Sequence, residues 1–100
     1  MFKRIESGIS ARYLNVDFLS WVRDYAIKLG LKGIVFEKED GSIKIIAEGE
    51  DKNLEEFAEK LRRGDFLSRI ENFYLDWCEA KGGFKDFSIG DKNYIYAEGL

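Results

Sequence analysis

The side chains able to do chemistry in this chain are few in kind. It has 16 lysines and arginines, 19 aspartates and glutamates, one cysteine and no histidine. That removes the usual donor sets for zinc, iron and copper and any Ser/His or Cys/His nucleophile pair. A reaction here must rest on arginine, lysine, asparagine and carboxylates. Three such residues, Arg12, Asn15 and Asp17, fall in the stretch ISARYLNVDFLSW (residues 9–21), where an alternating pattern gives way to a helical one. Backbone N–H groups at a helix start can hold an anion. An aspartate at that position can instead cap the helix and fill the anion's place itself. A hard cation on Glu48, Glu50 and Asp51 is conceivable, but the regular calcium-loop spacing is absent and no cofactor is expected. Cys78 reads as structural, with nothing beside it to activate a thiolate.

The elements that must position these residues follow from periodicity. Residues 3–11 alternate, with Ile5, Ser7, Ile9 and Ala11 on one face and Arg4, Glu6 and Ser10 on the other, as a half-buried strand does. Phe18, Val22, Tyr25 and Leu29 form one stripe of an amphipathic helix, widened by Trp21 and Ala26 and ended by Gly30. Gly33 to Lys38 and Ser42 to Glu48 are β-rich and joined by Asp40-Gly41, a hairpin turn. Asn53, followed three residues later by Glu56, reads as the N-cap of a second helix that closes at Gly64. Ile70 to Cys78 and Phe84 to Ile89 are further strands, and Tyr94-Ile95-Tyr96 can add an edge strand. Trp21, Tyr25, Phe57 and Trp77 are expected in the core. The order βαββαβ predicts an α+β ferredoxin-like sandwich. Its antiparallel sheet has the spatial order 4-1-3-2, both helices lie on one face, and an extra C-terminal strand is possible.

Composition bounds the setting. One hundred residues, 45% hydrophobic and 15% aromatic, suffice for a single core. A net charge of −3 with interspersed signs gives no reason to expect nucleic acid or membrane partners. A single cysteine, no leader pattern and no long apolar run suggest a cytoplasmic protein. The segment 90–100 could pair with a second copy, so a monomer or a homodimer through the C-terminus is expected.

The motifs Gly30-Leu31-Lys32-Gly33-Ile34-Val35, Asp40-Gly41-Ser42-Ile43, Ala47-Glu48-Gly49 and Leu61-Arg62-Arg63-Gly64 stand in a fixed order. They precede a strand ending at Trp77, and then Phe84, Phe87 and Ile89. In order and spacing they resemble the acylphosphatases, small enzymes of this fold that hydrolyse carboxyl–phosphate mixed anhydrides. The resemblance covers residues 3–89 of one domain, 1–100, with 90–100 as an extension. It implies a phosphate loop of the form GxVQGVxFR, an arginine that grips the phosphate, and an asparagine that orients the attacking water.

Counted back from Gly30, that loop falls on Ala11 to Leu19. Tyr13, Leu14, Asn15, Val16, Asp17 and Phe18 then take the phosphate-loop positions, with Val16 and Phe18 as apolar anchors and Asn15 for a glycine in left-handed backbone. Leu19 stands at the arginine position and Glu37 at the asparagine position. A carboxylate facing phosphate at about 5 Å costs roughly 3 kcal/mol at an effective dielectric of about 20. The resemblance with these departures implies a domain that has lost acyl-phosphate hydrolysis and serves as a binding or structural module for a small anion or a protein. The alternative is a working acylphosphatase with a shifted arginine, Arg12 (through a Gly8-Ile9-Ser10-Ala11-Arg12 register) or Arg23. A second alternative is a ferredoxin-like RNA-binding module.

Overall fold

The computed structural model describes residues 1–65 and 68–90. The chain runs β1 (Phe2–Tyr13), α1 (Phe18–Lys28), β2 (Lys32–Glu37), β3 (Ile43–Glu50), α2 (Asp51–Arg63), β4 (Arg69–Glu79), β5 (Phe87–Ile89). The sheet order is β4-β1-β3-β2-β5. Its first four strands are antiparallel in the expected 4-1-3-2 arrangement. The fifth differs from expectation, pairing parallel to β2 through Gly33↔Phe87 to Val35↔Ile89, so the sheet is mixed. The residues proposed for a C-terminal edge strand and dimer contact, 91–100, lie outside the described part.

Both helices pack on one sheet face, α1 over β2 and β5 and α2 over β3, β1 and β4. Ile5, Ile9, Val35, Ile45 and Ala47 meet Phe18, Val22, Ala26, Leu54, Phe57 and Leu61 in one dry core. Each large side chain buried there contributes about 1.5–3 kcal/mol. The α1 stripe therefore does what its periodicity predicts, and Gly30 ends the helix with φ 72°. The hairpin turn also forms as read, with Gly41 at φ 89°.

Two expectations need correction. Helix α2 begins at Asp51, not after Asn53, because the Asp51 N–H already donates to the Met1 carbonyl (3.0 Å), a tertiary bond that no local capping pattern announces. Trp77 is 46% exposed rather than core, since β4 is an edge strand. The sheet face away from the helices is covered near β2 and β3. Ile34, Phe36 and Ile46 are buried there with Phe84 packed on them. Beside them Arg4 donates to Glu48 (3.3 Å), and the Glu48 carboxylate also accepts the N–H groups of Lys81 (2.8 Å) and Gly82 (3.0 Å), tying the 81–84 segment across the sheet.

Candidate functional site

The loop between β1 and α1 and the far end of β2 enclose a pocket of about 210 Å³. It is lined by Leu14, Asn15, Val16, Phe18, Leu19, Glu37 and Ile43. The structure thus brings together Leu14, Asn15, Val16 and Phe18 of the phosphate-loop positions with both departing positions, Leu19 and Glu37, while Tyr13 and Asp17 do not line the pocket. Phe18 anchors the loop in the core at 2% exposed, and Leu14 and Leu19 pack against that core. Val16 does not serve as an anchor, being 91% exposed, and Tyr13 is exposed as well. Asn15 is not left-handed either, because no described non-glycine residue has a positive φ. Its N–H donates instead to Ser68 Oγ (3.0 Å), which fixes the turn from outside. Ser68 is a positioning residue that sequence reasoning missed. The available signal was its spacing from Asp65, whose Oδ1 accepts the Ser68 N–H (2.7 Å).

The first turn of a helix has no intrahelical acceptors for its N–H groups. Here Phe18 N–H donates to the Asn15 carbonyl and Trp21 N–H to the Asp17 carbonyl, both at 2.9 Å. Among the described residues no backbone acceptor takes the N–H groups of Val16, Asp17, Leu19 or Ser20. Asp17 occupies the N-cap position but makes no side-chain cap bond, and its side chain is exposed. The aspartate therefore does not fill the anion position, as it would if it capped the helix. These unfilled donors, together with the positive end of the helix dipole, suit an anion.

No arginine lines this pocket, so the two alternatives are placed by their flanks. Arg12 Nε pairs with Glu71 of β4 (3.2 Å), on the opposite side of β1 from Glu37 and Ile43. On α1, Tyr25 faces α2, since its hydroxyl donates to Glu56 (3.2 Å) and Lys60 lies over its ring. Leu19 and Arg23 occupy the other flank, one turn apart. Four residues of helix rise about 6 Å, and the Cα–Cβ bonds of a helix tilt towards its N-terminus, the end at which the loop lies. Its partner is the exposed Asp24 (3.0 Å). Exposed pairs of this kind contribute about 0–1 kcal/mol, so the guanidinium is released at little cost. Among the described residues no metal-binding group of three or more histidine, cysteine or acidic side chains forms, the proposed Glu48/Glu50/Asp51 set included. Cys78 is a free thiol. No helix among the described residues is long and apolar enough to cross a membrane.

With this geometry in place, the comparisons assign the lineage. The acylphosphatase family model matches residues 14–89. An acylphosphatase of Salinibacter ruber is 32% identical over 87% of this chain and 92% of its own length. One of Caldanaerobacter subterraneus subsp. tengcongensis is 30% identical over 89% of this chain and 99% of its own. The crystal structure of acylphosphatase from Bacillus subtilis superposes with a TM-score of 0.81 at 28% identity, covering 90% of this chain and 99% of that one. These relatives overturn the expectation of a domain that has lost its chemistry. Similarity to acylphosphatases runs over almost the whole chain, and nothing in the comparisons marks a degenerate branch. This chain belongs to the acylphosphatase family.

Proposed function

We propose that the protein hydrolyses carboxyl–phosphate anhydrides in the pocket between residues 14–19 and Glu37. The carrying observation is that the N–H groups of Val16, Asp17, Leu19 and Ser20 have no backbone acceptor among the described residues, beside a pocket lined by Leu14, Asn15, Val16, Phe18 and Leu19 of the family's phosphate loop. The phosphate sits on these donors and on the guanidinium of Arg23, which swings off Asp24 and replaces the arginine absent at Leu19. Glu37 accepts a hydrogen bond from the attacking water. The water oxygen forms its bond to phosphorus, and the bond from phosphorus to the acyl oxygen breaks. The carboxylate leaves with the electron pair, and the water's proton passes through Glu37 to solvent. The Arg23 charge offsets the repulsion between Glu37 and phosphate. A cytoplasmic setting is part of the proposal, in keeping with the lone cysteine.

Benzoyl phosphate is the direct probe. Hydrolysis well above the spontaneous rate, inhibited competitively by orthophosphate, is the expected result. A rate equal to the spontaneous one overturns the proposal.

Glu37 carries its own expectation. Glu37→Asn removes a charge facing the phosphate, worth up to roughly 3 kcal/mol. The inhibition constant for orthophosphate should therefore fall about tenfold to a hundredfold. An unchanged constant would mean that Glu37 does not face the bound anion.

A further inference from the structure

Strand β1 leaves β3 after the row Ile9↔Ile43. It stays beside β4, with register shifts between Ser10 and Ala11 and between Ala11 and Tyr13, to the row Tyr13↔Arg69. The next residue, Leu14, already lines the pocket. The start of β4 is thus carried to the edge of the phosphate loop. Ser68 fastens it there, its Oγ accepting the Asn15 N–H at 3.0 Å. Arg69 follows Ser68 and is exposed. Counted through Tyr13 or through Ser68, at about 5 Å between paired strands and about 3.8 Å between successive Cα atoms, Arg69 Cα lies within about 10 Å of Leu14 and Asn15.

Charge pairing sets this residue apart. Arg12 is paired with Glu71 and Arg23 with Asp24, and Arg4, Arg62 and Arg63 also have carboxylate partners. The Arg69 guanidinium makes no ion pair or hydrogen bond with any described residue. It is a full positive charge beside a site whose own charged side chains are negative. Glu37 lines the pocket, and Asp17 is exposed in the loop. In a chain of net charge −3 an incoming phosphate dianion is repelled over most of its approach. An unneutralised cation at the rim of the loop reverses that repulsion locally.

We propose that Arg69 steers anionic substrate onto the phosphate loop, acting through its field on the approach of the phosphate. The proposal rests on the hydrolase reading above and deepens it. Arg69 does not line the pocket, so it does not grip the transferring group as Arg23 does. Its effect belongs to binding and falls on KM. Steering depends on the sign of a charge and not on the shape of the group that carries it. It is also screened, because the Debye length shrinks from about 30 Å at 0.01 M salt to about 3 Å at 1 M.

The test compares Arg69→Lys, Arg69→Gln and Arg69→Glu with the intact protein on benzoyl phosphate at low and at high salt. A unit charge and a dianion about 10 Å apart in water attract enough to change affinity about fourfold. At low salt Arg69→Gln should therefore lower kcat/KM by about that factor, and Arg69→Glu by about its square. Arg69→Lys should match the intact protein. All of the loss should lie in KM, and at about 1 M salt the four proteins should converge. Unchanged kcat/KM in Arg69→Gln and Arg69→Glu at low salt overturns the proposal. A loss in kcat, or one that survives high salt, overturns it too, because either makes Arg69 a contact or a fold residue. If no acyl phosphate is hydrolysed, the hydrolase reading fails and steering is judged on orthophosphate affinity, measured by amide titration of the same four proteins. Affinity that follows the charge at position 69 at low salt, and ceases to at high salt, upholds steering. Affinity independent of that charge overturns it.

Discussion

Replacing Arg23 with alanine is expected to lower kcat/KM for benzoyl phosphate by about 10³-fold, the scale on which a single arginine stabilises a transferring phosphoryl group. The backbone donors of residues 16–20 supply partial charges only, and Glu37 opposes the anion, so the account needs one full positive charge on this flank of α1. Arg23 is the arginine that follows Leu19 by one turn of α1 (Phe18–Lys28). Arg12→Ala should change kcat/KM less than about threefold, since Arg12 lies on the β4 side of β1, opposite Glu37 and Ile43. Arg23→Lys should recover only part of the rate, because an ammonium is a point charge and cannot grip two oxygens in the arginine fork. Steady-state assays on the three variants check this. Full activity in Arg23→Ala, with loss in Arg12→Ala, would move the charge to the other side of β1.

Gly33→Ala is expected to be the most damaging conservative change to the fold. Gly33 sits at φ 154°, where side chains are strained. A Cβ there would collide with the Ile46 carbonyl oxygen and stand 2.9 Å from its carbon and 3.0 Å from Ala47 Cα. All three are backbone atoms of β3 and cannot step aside as a flexible side chain would. Gly33 also joins β2 to β5, because its N–H donates to the Asp86 carbonyl (2.9 Å) and its row pairs with Phe87. The expected loss is about 3 kcal/mol or more, a large share of the roughly 5–15 kcal/mol that stabilises a domain. For a chain of this size that lowers the melting temperature by about 12 °C or more. Thermal unfolding followed by circular dichroism measures it, and an unchanged midpoint would mean that β2 does not approach β3 as described.

The fold was largely legible because its signals are local. Asp40-Gly41 dictates a hairpin, the Phe18/Val22/Ala26 stripe dictates a buried helix face, and the order of elements does the rest. Misreadings fall where a tertiary contact overrides the local pattern. The start of α2 is set by a bond to the Met1 carbonyl, and the exposure of Trp77 follows from the edge position of β4. The loop conformation at Asn15 follows from Ser68, 53 residues away. Counting from Gly30 and Gly33 set Leu19 and Glu37 at related positions, and the two do line one pocket. Loss of the chemistry was inferred from Leu19 and Glu37 at two motif positions, with Arg12 or Arg23 kept as the alternative arginine, and the similarity to acylphosphatases along the chain overturns that inference.

The central claim is that phosphate is held by the backbone between β1 and α1. An ¹H–¹⁵N titration of the protein with orthophosphate tests it most directly. The account predicts saturable shifts centred on the amides of Val16, Asp17, Leu19 and Ser20, tightened in Glu37→Asn and weakened in Arg23→Ala. Shifts confined to other regions, or none at these four amides at millimolar phosphate, would contradict it.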